Sequence, residues 1–175
     1  MRRLDDLTGC VLALGAKGRK AVVGGSSALA RSAPELCAAA SLDSIDVIAV
    51  RLWLDTTVAT RTPANVFSRF PALRGAGGTF FMLDQLQGND AELWGGEEPQ
   101  GSVVACDFYN AGALLPLSND DVVELLTKTL LPAAVPGFRC ATVVDAHVQR
   151  FPGAVSWFSP GSFLKRPPLE TSISH

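Results

Sequence analysis

Arg51 is the residue best placed to do chemistry in this sequence, because it is the lone charge in a run otherwise apolar from Val47 to Leu54. A guanidinium buried without a partner costs several kcal/mol, so it must reach a carboxylate, an anionic ligand or water. Asp84 and Asp107, each central in another predicted strand, are candidate partners. The alternative is a sheet-edge arginine whose head runs out to solvent. A second candidate is the stretch LALGAKGRKAVVGG, residues 12–25, which sets Lys17, Arg19 and Lys20 among glycines. A phosphate cradle needs converging backbone N–H groups, glycines at the close approach and a helix whose positive end faces the anion. Gly15, Gly18, Gly24 and Gly25 complete neither a Walker loop nor a GxGxxG fingerprint, so the stretch reads as a strand-to-helix turn.

Nucleophilic and metal chemistry find less support. His147 and His175 are the only histidines; His147 has Asp145 two residues away on the same strand face, but no GxSxG elbow supplies a serine. His147 therefore reads as a strand histidine with a structural hydrogen bond. Cys10, Cys37, Cys106 and Cys140 are widely spaced with no CxxC pair, which argues for buried, reduced thiols and against a zinc site. Trp53, Phe80, Phe81, Phe108, Tyr109, Trp157 and Phe158 put large rings on or beside predicted strands. Such rings are core, unless one sheet face is left uncovered, where they would line a cleft for an apolar ligand.

These residues need elements to position them. CVLAL, 10–14, reads as a short buried strand, followed by a weak helix between Lys17 and Ala30 and a better one at Pro34 to Ala40, where proline suits a first turn. IDVIAVRLWLD, 45–55, is β-branched and apolar enough for a central strand covered on both faces. Residues 57–78 read as irregular, with a short strand at NVFSRF; TFFMLDQL, 79–86, and SVVACDFY, 102–109, read as strands. Ser118 and Asp121 form a capping box opening a helix that carries Val122, Leu126 and Leu130 on one stripe and stops at Pro132. CATVVDAHV, 140–148, is a further strand, and RFPGAVSWFSPGSF then carries two Pro/Gly breaks. Several strands with segregated helices predict an α+β domain with a mixed, largely antiparallel sheet and helices packed on one side.

Composition bounds the partners. At 175 residues the chain suits one domain spanning 1–175; hydrophobic residues make up 47% and charged ones only 18%, so an apolar surface needing cover is expected. A formal net charge of -2 and no basic stripe argue against nucleic acid. The longest apolar run is too short to span a bilayer, which leaves peripheral membrane contact open, and Asp5 and Asp6 spoil the N-terminus as a signal peptide.

The order of segments resembles the flavin-containing amine oxidase and carotenoid (phytoene) desaturase family, in its substrate-side portion and closest to the plant and algal branch. The carrying segments are VLALG, SxALA, SLDSIDVIAVRLWLD, FSRFPAL, SNDDVVELLTKTLLP and HVQRFPGAVSWFSPGSFLKRPP. The resemblance implies a partial FAD-dependent oxidoreductase acting on an apolar or amine small molecule, with residence in the chloroplast. It implies Arg51, Trp53, Phe108, Trp157 and Phe158 along the substrate cleft, Leu14 and Gly15 near the cofactor, and GAKGRK as a crossover loop. No catalytic role and no metal is assigned. The sequence lacks the family's GxGxxG and its C-terminal FAD segment. Three charge-assisted hydrogen bonds at about 1.5 kcal/mol each would leave FAD binding roughly a thousandfold weaker without them. The chain is thus expected to be inactive by itself; the alternative expectation is a non-catalytic subunit that docks on a partner protein through its apolar sheet face.

Overall fold

In the computed structural model, which describes residues 8–67, 70–88 and 90–172, the chain groups into two compact units: 1–44 with 153–175, and 45–152. The second unit holds the hydrophobic core. Alternation drives it: in β1 (Asp43–Leu54), Ile48, Val50, Leu52 and Leu54 all point to one face and are buried. β4 (Val103–Tyr109) pairs antiparallel with β1, setting Val50 opposite Cys106 and Ile48 opposite Phe108. β3 (Gly77–Met82) pairs antiparallel with β4, and β2 (Ala64–Phe67) with β3. β5 (Val143–Trp157) flanks β1, giving a five-stranded antiparallel sheet in the order β2-β3-β4-β1-β5. The α+β class with an antiparallel sheet thus holds.

Helical residues 119–134 cover the core face. α6 (Asn119–Glu124) opens with the expected box: Asp121 N–H donates to Ser118 Oγ at 3.1 Å, and Ser118 N–H to Asp121 Oδ2 at 3.1 Å. These Ser118 hydrogen bonds hold the Asp121 carboxyl below its ordinary pKa. The helix does not stop at Pro132. It widens into a π-helical segment, Leu125–Leu130, and resumes as α7 (Leu131–Ala134). Proline has no N–H to donate and crowds the preceding turn, and the wider turn accommodates both. Arg150 of β5 anchors the helix start, donating to Asn119 Oδ1 and to the Leu117 carbonyl.

The turn into β4 is fixed by Ser102, which is fully buried. Its Oγ donates to Asp84 Oδ2 at 2.8 Å and accepts from Val58 N–H at 3.0 Å, while Asp84 Oδ1 accepts from Val103 N–H. Ser102→Ala would orphan the Val58 donor, and we expect a loss of about 1–3 kcal/mol in a urea melt. A melt unchanged within error would mean that water replaces the hydroxyl.

Several sequence expectations are corrected. Residues 10–14 form no strand: Val11 is 92% exposed, and none of the five strands pairs with this run. GAKGRK is not a loop, since α1 (Ala16–Gly25) begins within it; α2 (Ser27–Ser32) follows after a break at Ser26, whose Oγ accepts from Leu29 N–H. α3 (Pro34–Ala40) falls where proline placed it. TFFMLDQL is half strand and half helix, because α4 (Leu83–Gln87) takes over and closes on Gly88 at φ 61°. α5 (Asp90–Leu93) follows. β5 runs through Pro152 and Gly153, with Gly153 taking φ 65°, so this Pro/Gly pair does not end the strand. In NVFSRF, Ser68 and Arg69 lie outside the described residues. All four cysteines are free, but only Cys106 is buried, where desolvation pushes its thiol pKa far up.

Candidate functional site

The sheet face opposite the core is the one that stays accessible. Odd-numbered residues of β1 and β4, namely Ala49, Arg51, Trp53, Ala105 and Asp107, join His147 and Gln149 of β5 around a depression of about 380 Å³. One end of this face is closed by α4 and α5: Leu83, Leu93 and Trp94 pack on Trp53, Phe81, Val103 and Ala105, and Trp53 Nε1 donates to the Leu93 carbonyl at 2.9 Å. β1 is interior to the sheet, between β4 and β5, but covered fully on one face only.

Arg51 lies on an interior strand, opposite Ala105, and its side chain is exposed on this open face. Its guanidinium carbon stands 6.0 Å from the Trp53 ring centroid, the outer limit of a cation–π contact. Asp84 is no partner for it. That carboxylate belongs to the first turn of α4, and both its oxygens accept hydrogen bonds from Ser102 and Val103. Asp107 does share the face, one diagonal step away, with Ala49 and Thr79 as its direct cross-strand neighbours. Partial burial raises the Asp107 pKa. Beside it, Thr79 Oγ1 is buried without a hydrogen-bond partner.

The raised value has a sign that can be tested. The folded chain keeps the Asp107 proton at pH values where the unfolded chain has released it. Stability therefore falls as pH climbs from the ordinary aspartate range through the raised pKa. Asp107→Asn should be more stable than the parent at neutral pH and should flatten that part of the curve. Thermal melts across pH check this, and a less stable variant at neutral pH would show that the ionised carboxylate is held by interactions stronger than its desolvation.

Of the residues expected along a cleft, the structure brings Arg51 and Trp53 together and separates Phe108 from them. Phe108 follows Asp107 in the same strand, so it must face the core, where it is completely buried. Trp157 and Phe158 belong to the first unit, both about half exposed, with the Arg166 guanidinium carbon 4.0 Å from the Phe158 centroid. Leu14 and Gly15 also lie in the first unit. Gly15 precedes α1 with φ −63°, and a Cβ there would stand 3.7 Å from the Ala154 carbonyl oxygen, an ordinary contact. Nothing at that position demands glycine for the close approach of an anion. Leu14 offers apolar surface and no donor beyond its backbone. Sequence reasoning passed over Gln149 and Thr79; the alternation of HVQR, which puts Gln149 beside His147, was the available signal for the first.

No protein-family model matches the chain, and no curated protein matches it. Among the described residues, no helix is long and apolar enough to cross a membrane, and no group of three or more His, Cys, Asp or Glu side chains could hold a metal ion.

Proposed function

We propose that the chain is the substrate-side portion of an FAD-dependent oxidoreductase of the amine oxidase and carotenoid desaturase type, located in the chloroplast, and that the flavin is held mainly by segments outside these residues. The observation that supports this best is the two-faced sheet. One face is sealed by helix, while the other carries Arg51 and Trp53 at a shallow depression, as a wall that contributes to a larger cavity would. The segments that resemble the family include the central strand and the helix that seals its back. In this reading Trp53 supplies a flat apolar contact for a polyene or amine, and Arg51 marks the polar end of the slot. The chemistry belongs to the cofactor, and this chain binds and orients.

Flavin absorbance at about 450 nm is the test, read on the chain alone with added FAD and on the chain expressed with its genomic flanking sequence. Flavin retained only by the longer product agrees with the proposal. No flavin in either sample, with a stable complex to another subunit, would replace it by the docking role.

A further inference from the structure

The first unit contains a groove of about 840 Å³, within the size range of small-molecule sites. Leu12, Leu14, Val22, Val23, Leu36 and Leu169 give it an apolar lining, and Arg19 of α1 is the one cation among the described residues that line it. The Nε and Nη2 atoms of Arg19 are shut off from solvent and have no hydrogen-bond partner among the described residues. Burying two charged donors unsatisfied is costly, so the arrangement lacks an anion. The geometry names its shape. Nε and Nη2 form one edge of the guanidinium plane, the edge whose parallel N–H bonds take the two oxygens of a single carboxylate. Glu170 also lines the groove, but no hydrogen bond joins it to either nitrogen.

We propose that this groove binds a single-chain carboxylate amphiphile, its headgroup paired with Arg19 and its hydrocarbon tail along the leucines and valines. The inference does not depend on the flavin or on the sheet face. The tail supplies affinity in proportion to length, about fourfold per methylene, and the guanidinium supplies selectivity for the headgroup.

Calorimetric titration of the full chain with dodecanoate below its micelle concentration tests this, with dodecanol and dodecyl phosphate alongside. Dodecanoate should bind at least tenfold tighter than dodecanol, decanoate more weakly than dodecanoate, and Arg19→Gln should lose at least tenfold for dodecanoate only. Arg19→Lys, which keeps the charge and loses the fork, should recover only part. Equal binding of dodecanol and dodecanoate in the unmodified chain overturns the proposal without any variant, as does failure of dodecanoate to bind. Dodecyl phosphate binding in preference to dodecanoate would overturn the carboxylate assignment. Circular dichroism of both Arg19 variants separates lost binding from lost folding.

Discussion

Gly101→Ala should unfasten the junction where the second unit's two central strands meet. A Cβ at Gly101 would lie 2.4 Å from Thr56 N, 2.5 Å from Leu54 O and 2.6 Å from Thr56 C. All three are backbone atoms, so no rotamer change can clear the space. The chain would have to move away from the end of β1, and two hydrogen bonds run through the same spot: Leu54 N–H to the Ser102 carbonyl at 3.0 Å and Ser102 N–H to the Thr56 carbonyl at 3.1 Å. Overpacking against atoms that cannot yield belongs at the upper end of its range, about 3 kcal/mol or more. In a chain of this size that lowers Tm by roughly 6–12 °C. A thermal melt displaced by less than about 2 °C would show that the strand ends separate at little cost.

Phe108→Ala should cost as much or more, about 3–5 kcal/mol, for the opposite reason. Phe108 is completely buried, stacked on Phe67 with centroids 6.4 Å apart, in a cluster where Phe67 also meets Phe80 at 5.1 Å and Phe80 meets Phe138 edge-on at 5.9 Å. Gly78 lies directly opposite in β3, and its missing side chain makes room for the ring: a Cβ there would come within 3.2 Å of Phe108 Cδ1. Removing the ring leaves a hole bounded by rigid strands, which relax poorly. Phe108→Leu should lose far less stability, and neither change should alter binding at the open face, because Phe108 does not reach it. An effect of Phe108→Leu on ligand affinity with an unchanged melt would put the ring back in the site.

How far the sequence carries depends on what each residue had to meet. The strand at 45–55 was legible because eight apolar residues around Arg51 suit little except a sheet interior. The box at Ser118 and Asp121 was legible because its hydrogen bonds close within four residues. CVLAL was misread because a short apolar run says nothing about whether a neighbouring strand exists to receive its backbone. LDQL was misread because four residues cannot separate a period of two from one of 3.6. Within the candidate site, Arg51 and Trp53 were within reach because residues two apart share a strand face. The same parity rule sets Phe108 on the opposite face from Asp107, since neighbours along a strand face opposite ways, and it was the available signal against counting Phe108 with Arg51. Register, which decides that Ala105 and not Asp107 stands across from Arg51, depends on turns whose geometry the sequence shows only faintly.

The π-helical segment at 125–130 also sets the rotational phase of everything after it. Val122 and Leu126 precede or enter the wide turn, Leu130 and Leu131 leave it, and all four are buried in the core. Successive residues of a regular α-helix are turned by about 100°, so two adjacent leucines would ordinarily diverge. Length here is therefore as constrained as composition. Deleting a single residue from the wide turn would swing the helix end out of step with the sheet, even if every remaining side chain were unchanged.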